Sequence, residues 1–208
     1  MNVMHSLLDK LKGIQVVSTD NITVELLKLS FDLDAQTKKE YKGFELKGPL
    51  TKELLCELAE KVPYEVMISK LKNGKCYLFT GYSDNAGPAS RVEFAKKMFG
   101  NNIVARLHTH PKSTGDYRYP SRGDLETYDP TLGIHVVITP TRLIQYRYEK
   151  LEDFKDGLDI TLSRIYRKYF PGEDDFFKAE TMNKVMAKFY ELYPDFISFD
   201  EENILQVL

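Results

Sequence analysis

Tryptophan is absent from this 208-residue chain, and cysteine occurs twice, at Cys56 and Cys76. Two widely spaced thiols build neither a disulfide framework nor a four-cysteine zinc site, so a reducing compartment is the default expectation. Long apolar runs are missing as well. No stretch approaches the roughly 18 apolar residues of a membrane span. Met1 to Lys12 is broken by Asp9 and Lys10, unlike the unbroken apolar stretch of a signal peptide. The predicted setting is cytoplasmic, with no membrane partner. An excess of charge of one sign is also lacking: 29 Lys and Arg stand against 31 Asp and Glu, for a net charge of −2. That balance offers no electrostatic footing on nucleic acid or on an anionic lipid surface. Internal repeats and low-complexity tracts are absent too, which excludes a solenoid.

What is present is an ordinary globular composition, 42% hydrophobic and 29% charged, in a chain long enough to bury a core without staples. Ser6 to Lys12 reads as a short helix. Gly13 to Val17 and Ile22 to Leu29 read as strands, divided by the turn-prone Ser18-Thr19-Asp20-Asn21. Thr51 to Lys61 reads as a helix with Thr51 as N-cap, since Leu54, Leu55, Leu58 and Val62 recur at helical spacing and Pro63 follows. Tyr64 to Leu71 and Lys75 to Gly81 flank Asn73-Gly74, a strong hairpin-turn pair. Ser90 to Phe99 is a predicted helix and Ile103 to His108 a strand. Ser121 to Tyr128 is a short helix capped by Ser121. Gly133 to Thr139 and Leu143 to Tyr148 are strands. Residues 151 to 170 and 175 to 193 are helices parted by Pro171-Gly172. The predicted fold is α/β of the α+β kind, a mixed sheet flanked by helices. The expected division is an N-terminal extension over 1–50, a central domain over 51–148 and a helical C-terminal extension over 149–208.

The stretch with chemical content is Arg106-Leu107-His108-Thr109-His110-Pro111, followed by Ser121-Arg122-Gly123-Asp124. Strand alternation puts His108 and His110 on one face, where two imidazoles at a strand end can grip one cation from the same side. Asp124, in the first turn of the next helix, can turn its carboxylate back toward that strand end. Two histidines and one carboxylate leave a coordination position open, which is the pattern of catalytic zinc. His135, inside the apolar run Ile134 to Ile138, reads as a buried strand histidine and not a ligand. Arg106 reads as alternating away from the histidine face, toward solvent. Lys38-Lys39 and Lys96-Lys97 read as solvated faces.

His108-Thr109-His110-Pro111 with Ser121-Arg122-Gly123-Asp124 resembles the His-x-His-Pro … Ser-x-x-Asp signature of the JAB/MPN (JAMM) zinc metallopeptidases. Glu65-Val66-Met67-Ile68, the Asn-Gly hairpin, a helix near Arg91 and Leu132 to Val137 follow the order of its RadC-like branch. The resemblance covers about residues 51 to 148. It departs in the spacer: 13 residues separate His110 from Asp124, more than the family carries, and Asp116 is the alternative ligand if the loop folds over the metal. The resemblance implies a cytidine-deaminase-like JAB/MPN fold and one Zn²⁺ held by His108, His110 and Asp124. It also implies a Glu general base from an upstream strand and an oxyanion-supporting serine at Ser121. Glu65 matches the base best, with Glu60 and Glu93 as competitors. The implied activity is hydrolysis of an amide or isopeptide bond in a protein substrate, after an extended tail such as that of a ubiquitin-like protein. The other functions open to the fold are a non-catalytic scaffold, a RadC-like nucleic-acid-associated factor or a delivered effector.

Overall fold

The computed structural model describes residues 14–28, 42–80, 96, 98–112, 118–148, 157–173, 176 and 178–208. The sequence-predicted helices over 6–12 and 90–99 fall wholly or mostly outside them, and so do Glu93 and Asp116. The elements in chain order are β1 (Gln15–Ser18), α1 (Ile22–Lys28), β2 (Lys42–Lys47), α2 (Lys52–Lys61), β3 (Val66–Leu71), β4 (Cys76–Thr80) and β5 (Ile103–Thr109). They continue with α3 (Arg122–Glu126), β6 (Ile134–Ile138), β7 (Leu143–Tyr146), α4 (Gly157–Tyr169), α5 (Ala179–Leu192), β8 (Ile197–Ser198) and α6 (Glu201–Val207). Among the described residues the strands form one mixed sheet in the order β1-β2-β4-β3-β5-β6-β7-β8. β1/β2 and β5/β6 pair in parallel and the remaining neighbours antiparallel.

The hairpin turn forms where Asn73-Gly74 predicts it, with Gly74 at φ 83°. Thr51 caps α2 by accepting from the Leu54 amide at 3.2 Å, a bond worth about 1 kcal/mol. Parallel β5 and β6 need a crossover, and α3 lies in it. The return is sharp. Gly133, at φ 71°, passes so close to Val104 that a Cβ would stand 1.9 Å from its carbonyl oxygen. Only glycine fits there, one residue before Ile134 pairs with Ala105.

One stretch differs from the sequence reading. Ile22 to Lys28, expected within a strand, is the helix α1. Its buried positions are Ile22, Thr23 and Leu26, while Val24 and Leu27 are exposed, a spacing of one helical face. β1 and β2, from the stretch before residue 51, and β8, from the stretch after 148, belong to the same sheet as the central strands. Ile22, Phe44 and Ile204 share one core cluster with Leu107 and Val136. Neither β2, β8 nor α6 had been predicted.

The sheet separates two cores. One face carries Val66, Ile68, Leu78, Ala105, Leu107, Val136 and Ile138, covered by side chains of α1, α2 and α6. The other carries Val137 and Tyr146 under α3, α4 and α5. A smaller cluster around Met67, Phe79 and Leu132 adjoins it.

Candidate metal centre

His108 is the penultimate residue of β5, and His110 follows its end. The His110 amide donates to the Ile138 carbonyl at 2.8 Å, carrying the β5/β6 ladder one step further. Both imidazoles are therefore anchored by backbone on the sheet face that α3 covers. α3 begins with a reciprocal cap. The Asp124 amide donates to Ser121 Oγ at 3.2 Å, while the Ser121 amide and hydroxyl each donate to Asp124 Oδ2 at 2.6 Å. This cap fixes the carboxylate on the first turn, facing the strand end.

The three side chains meet. His108 Nε2 stands 2.8 Å from Asp124 Oδ1, His110 Nε2 stands 3.2 Å from Asp124 Oδ2, and the two Nε2 atoms are 3.1 Å apart. All three residues are buried. Ligand atoms set tetrahedrally at about 2.0–2.1 Å from a zinc ion stand about 3.3 Å from one another, close to these spacings. Protons on both Nε2 atoms would crowd each other at 3.1 Å, and one cation between the three donors relieves that crowding. The cluster can hold a metal ion. Burial alone would push the Asp124 carboxyl up, but the neighbouring His108 and His110 imidazoles outweigh it and hold the group well below the usual carboxylate range. Nδ1 of His108 has no hydrogen-bond partner among the described residues, so its ring is oriented by packing, including an edge-on contact with Tyr146 at 6.3 Å.

Arg106 overturns its sequence reading. It lies two residues before His108, so it shares the histidine face, and it is 2% exposed. Counting the alternation correctly would have found it. It belongs to a buried polar row running across the sheet, Ser69, Arg106, His135 and Tyr146, which are register partners on β3, β5, β6 and β7. His135 is a buried strand histidine, as predicted. Its Nε2 donates to the Asp129 carbonyl at 2.7 Å, and burial together with the Arg106 charge pushes its pKa down to about 4. It stays neutral and outside the ligand cluster. Tyr146 has its hydroxyl pKa raised, mainly by burial and then by the Asp124 charge.

Glu65 immediately precedes β3 and is half-buried. Met67 pairs with His108, and the Val66 amide donates to Thr109 Oγ1 at 3.0 Å. Continued past Met67, the same register sets Glu65, just before β3, opposite His110, just after β5. Glu60 lies elsewhere, at the exposed end of α2, where it pairs with Lys112. A cleft of about 390 Å³ opens beside Ser121, bounded by Tyr119 and Pro120 on one side and by Asn183, Lys184 and Met186 of α5 on the other.

The arrangement offers a buried nitrogen–nitrogen–oxygen donor set at a strand end, a carboxylate one strand away and a cleft at its serine. Comparison with protein-family profiles, with curated proteins and with solved structures returns no match.

Proposed function

We propose that the chain is a zinc-dependent hydrolase of the JAB/MPN type, with the cytidine-deaminase-like arrangement of that family, cleaving an amide or isopeptide bond in a protein substrate. The observation that carries this reading is the convergence of His108 Nε2, His110 Nε2 and the Asp124 carboxylate at spacings close to those of a tetrahedral ligand set. A donor set with two imidazoles and one carboxylate suits zinc and disfavours magnesium or calcium, which take oxygen ligands.

When bound, the metal supplies a Lewis acid and a water of lowered pKa. The residues supply the rest. His108 and His110 hold their positions through β5, and Asp124 through the Ser121 cap. Glu65, at the level of His110, takes one proton from the attacking water as the new C–O bond forms, and delivers it to the departing nitrogen as the C–N bond breaks. The second proton of the water passes from the new carboxyl to the amine, so the products are a carboxylate and an ammonium group. Ser121 lines the cleft, and its one hydroxyl proton goes to Asp124 Oδ2; supporting a carbonyl oxygen that gains charge requires the hydroxyl to turn that proton from the carboxylate toward the cleft. The substrate is an extended chain with small residues at the scissile bond, such as the tail of a ubiquitin-like protein.

Elemental analysis of desalted protein should find about one zinc per chain, lost in His108→Ala and in Asp124→Ala. Glu65→Gln should keep the zinc and lose about 10²–10⁴ of turnover on a panel of ubiquitin-like tails fused to a reporter amine, with a chelator control. A chain that takes up no zinc after incubation with the metal would sink the reading. Zinc-loaded protein that cuts no tail would reduce it to a metal-binding scaffold.

A further inference from the structure

The C-terminal helices lie outside the stretch that carries the family resemblance, yet they reach the candidate metal centre, and one of their contacts falls on the residue just before Ser121. Tyr190, in α5, is 2% exposed. Its hydroxyl donates to the carbonyl of Pro120 at 3.0 Å, and its ring stacks on Tyr119 at 5.7 Å with planes 24° apart. Pro120 directly precedes Ser121, whose amide and hydroxyl both hold Asp124 Oδ2. A chain of direct contacts thus runs from α5 through Pro120 and Ser121 to the carboxylate facing His108 and His110.

We infer that Tyr190 is a positioning residue of the metal centre, holding the Ser121–Asp124 turn in ligating geometry from outside the central strands. The physical need is clear from α3. Five residues are too few to stand as an independent helix, so its placement has to come from packing. Leu125 supplies part of it, lying in one cluster with Phe189 and Tyr190, and Arg122 pairs with Asp159 of α4 at 3.0 Å, but neither contact holds the chain just before the cap. The Tyr190 hydroxyl sets where Pro120 sits along the chain direction, and Tyr119 fixes the rotation by stacking. Ligand sites demand placement to about 0.5 Å, and loss of an outer partner costs about 10–100-fold in metal affinity. Lys184 and Ala187 of the same helix, with Tyr119, line both this cleft and a second one, which Tyr190 lines as well. The same helix that positions the ligand turn therefore shapes the approach to Ser121.

This inference deepens the zinc reading and rests on it for its consequence, but the tether can be tested without metal. The variant is Tyr190→Phe, which keeps the ring and its stacking and removes only the hydroxyl. The control is Ile165→Leu, a volume-conserving change at a buried residue of α4 that lines neither cleft. Two quantities are measured on the full-length protein: amide hydrogen exchange of the metal-free form, and zinc affinity by competition with a chromogenic chelator. Tyr190→Phe should speed exchange at residues 121–125 while leaving β5 and β6 unchanged, and should weaken zinc about tenfold. Ile165→Leu should do neither. Unchanged exchange and affinity in Tyr190→Phe, or equal losses in both variants, would overturn the inference. If the unaltered protein takes up no zinc, the proposed function falls, and the exchange comparison alone then decides for or against the tether.

Discussion

β5 shows opposite characters on its two faces. Ala105 and Leu107 enter an apolar core between the sheet and α1, α2 and α6. Arg106 and His108, alternating with them, enter the opposite layer beside His135, Tyr146 and Asp124. Both faces are buried, so burial does not tell them apart; chemistry does. Each fully buried Leu or Val on the first face contributes about 1.5–3 kcal/mol. On the second, every polar group costs free energy unless it is satisfied. A fold selected for stability alone has no reason to retain an arginine, three histidines and an aspartate there. Their concentration in one layer sets that face apart as the one whose chemistry the proposed function uses.

The largest expected effect tests whether the faces are separable. Leu107→Ala should destabilise the protein by about 2–5 kcal/mol in a denaturant titration, while the zinc bound per folded chain stays unchanged. Loss of zinc at full occupancy of the folded state would show that the apolar face also sets the site geometry.

A pH measurement sharpens the comparison from the polar side. His135 has its pKa lowered from 6.5 to about 4 by burial and the Arg106 charge. The unfolded chain therefore takes up this proton at a higher pH than the folded one. Stability from this residue is fully present above pH 6.5 and is lost as pH falls toward 4, by about 3 kcal/mol in all at about 1.4 kcal/mol per unit. Metal-free protein titrated from pH 7 to 4 should show this slope. His135→Gln, which can still donate to the Asp129 carbonyl, should flatten it. An identical slope in the variant would assign the pH dependence to other groups.

The smallest effect is expected outside both faces. Lys112→Ala removes a surface ion pair with Glu60 and should change stability by less than about 1 kcal/mol, with zinc binding unaltered. A marked loss of zinc would bring Glu60 back as a participant in the site.

Much of the site was legible because its geometry is local. His108 and His110 are two residues apart on one strand, and Ser121 and Asp124 are three apart in a capping motif, so chain geometry alone makes each pair converge. Arg106 was equally legible by the same alternation and was assigned to the wrong face. The helix α1 was misread because Ile22, Val24 and Leu26 also satisfy a period of two; the burial of Thr23 with Ile22 and Leu26, and the exposure of Val24, settle the matter. β2 is short and carries Lys42, Gly43 and Lys47, a poor strand signature that pairing with β4 overrides.

The sequence by itself determined the hairpin at Asn73-Gly74, the caps at Thr51 and Ser121, the alternation of β5 and the set of candidate ligands. Each follows from backbone preference or spacing within a few residues. Only the tertiary structure decided that the strand and the capped helix face each other across a 3 Å gap. It alone brought the start of β3 beside the end of β5 and enrolled the flanking segments in one sheet. The contact between Tyr190 and Pro120, 70 residues apart, is the extreme case. Nothing local encodes it; it exists because burying the aromatic face of α5 against α3 leaves the hydroxyl beside that carbonyl, and a buried hydroxyl needs a partner.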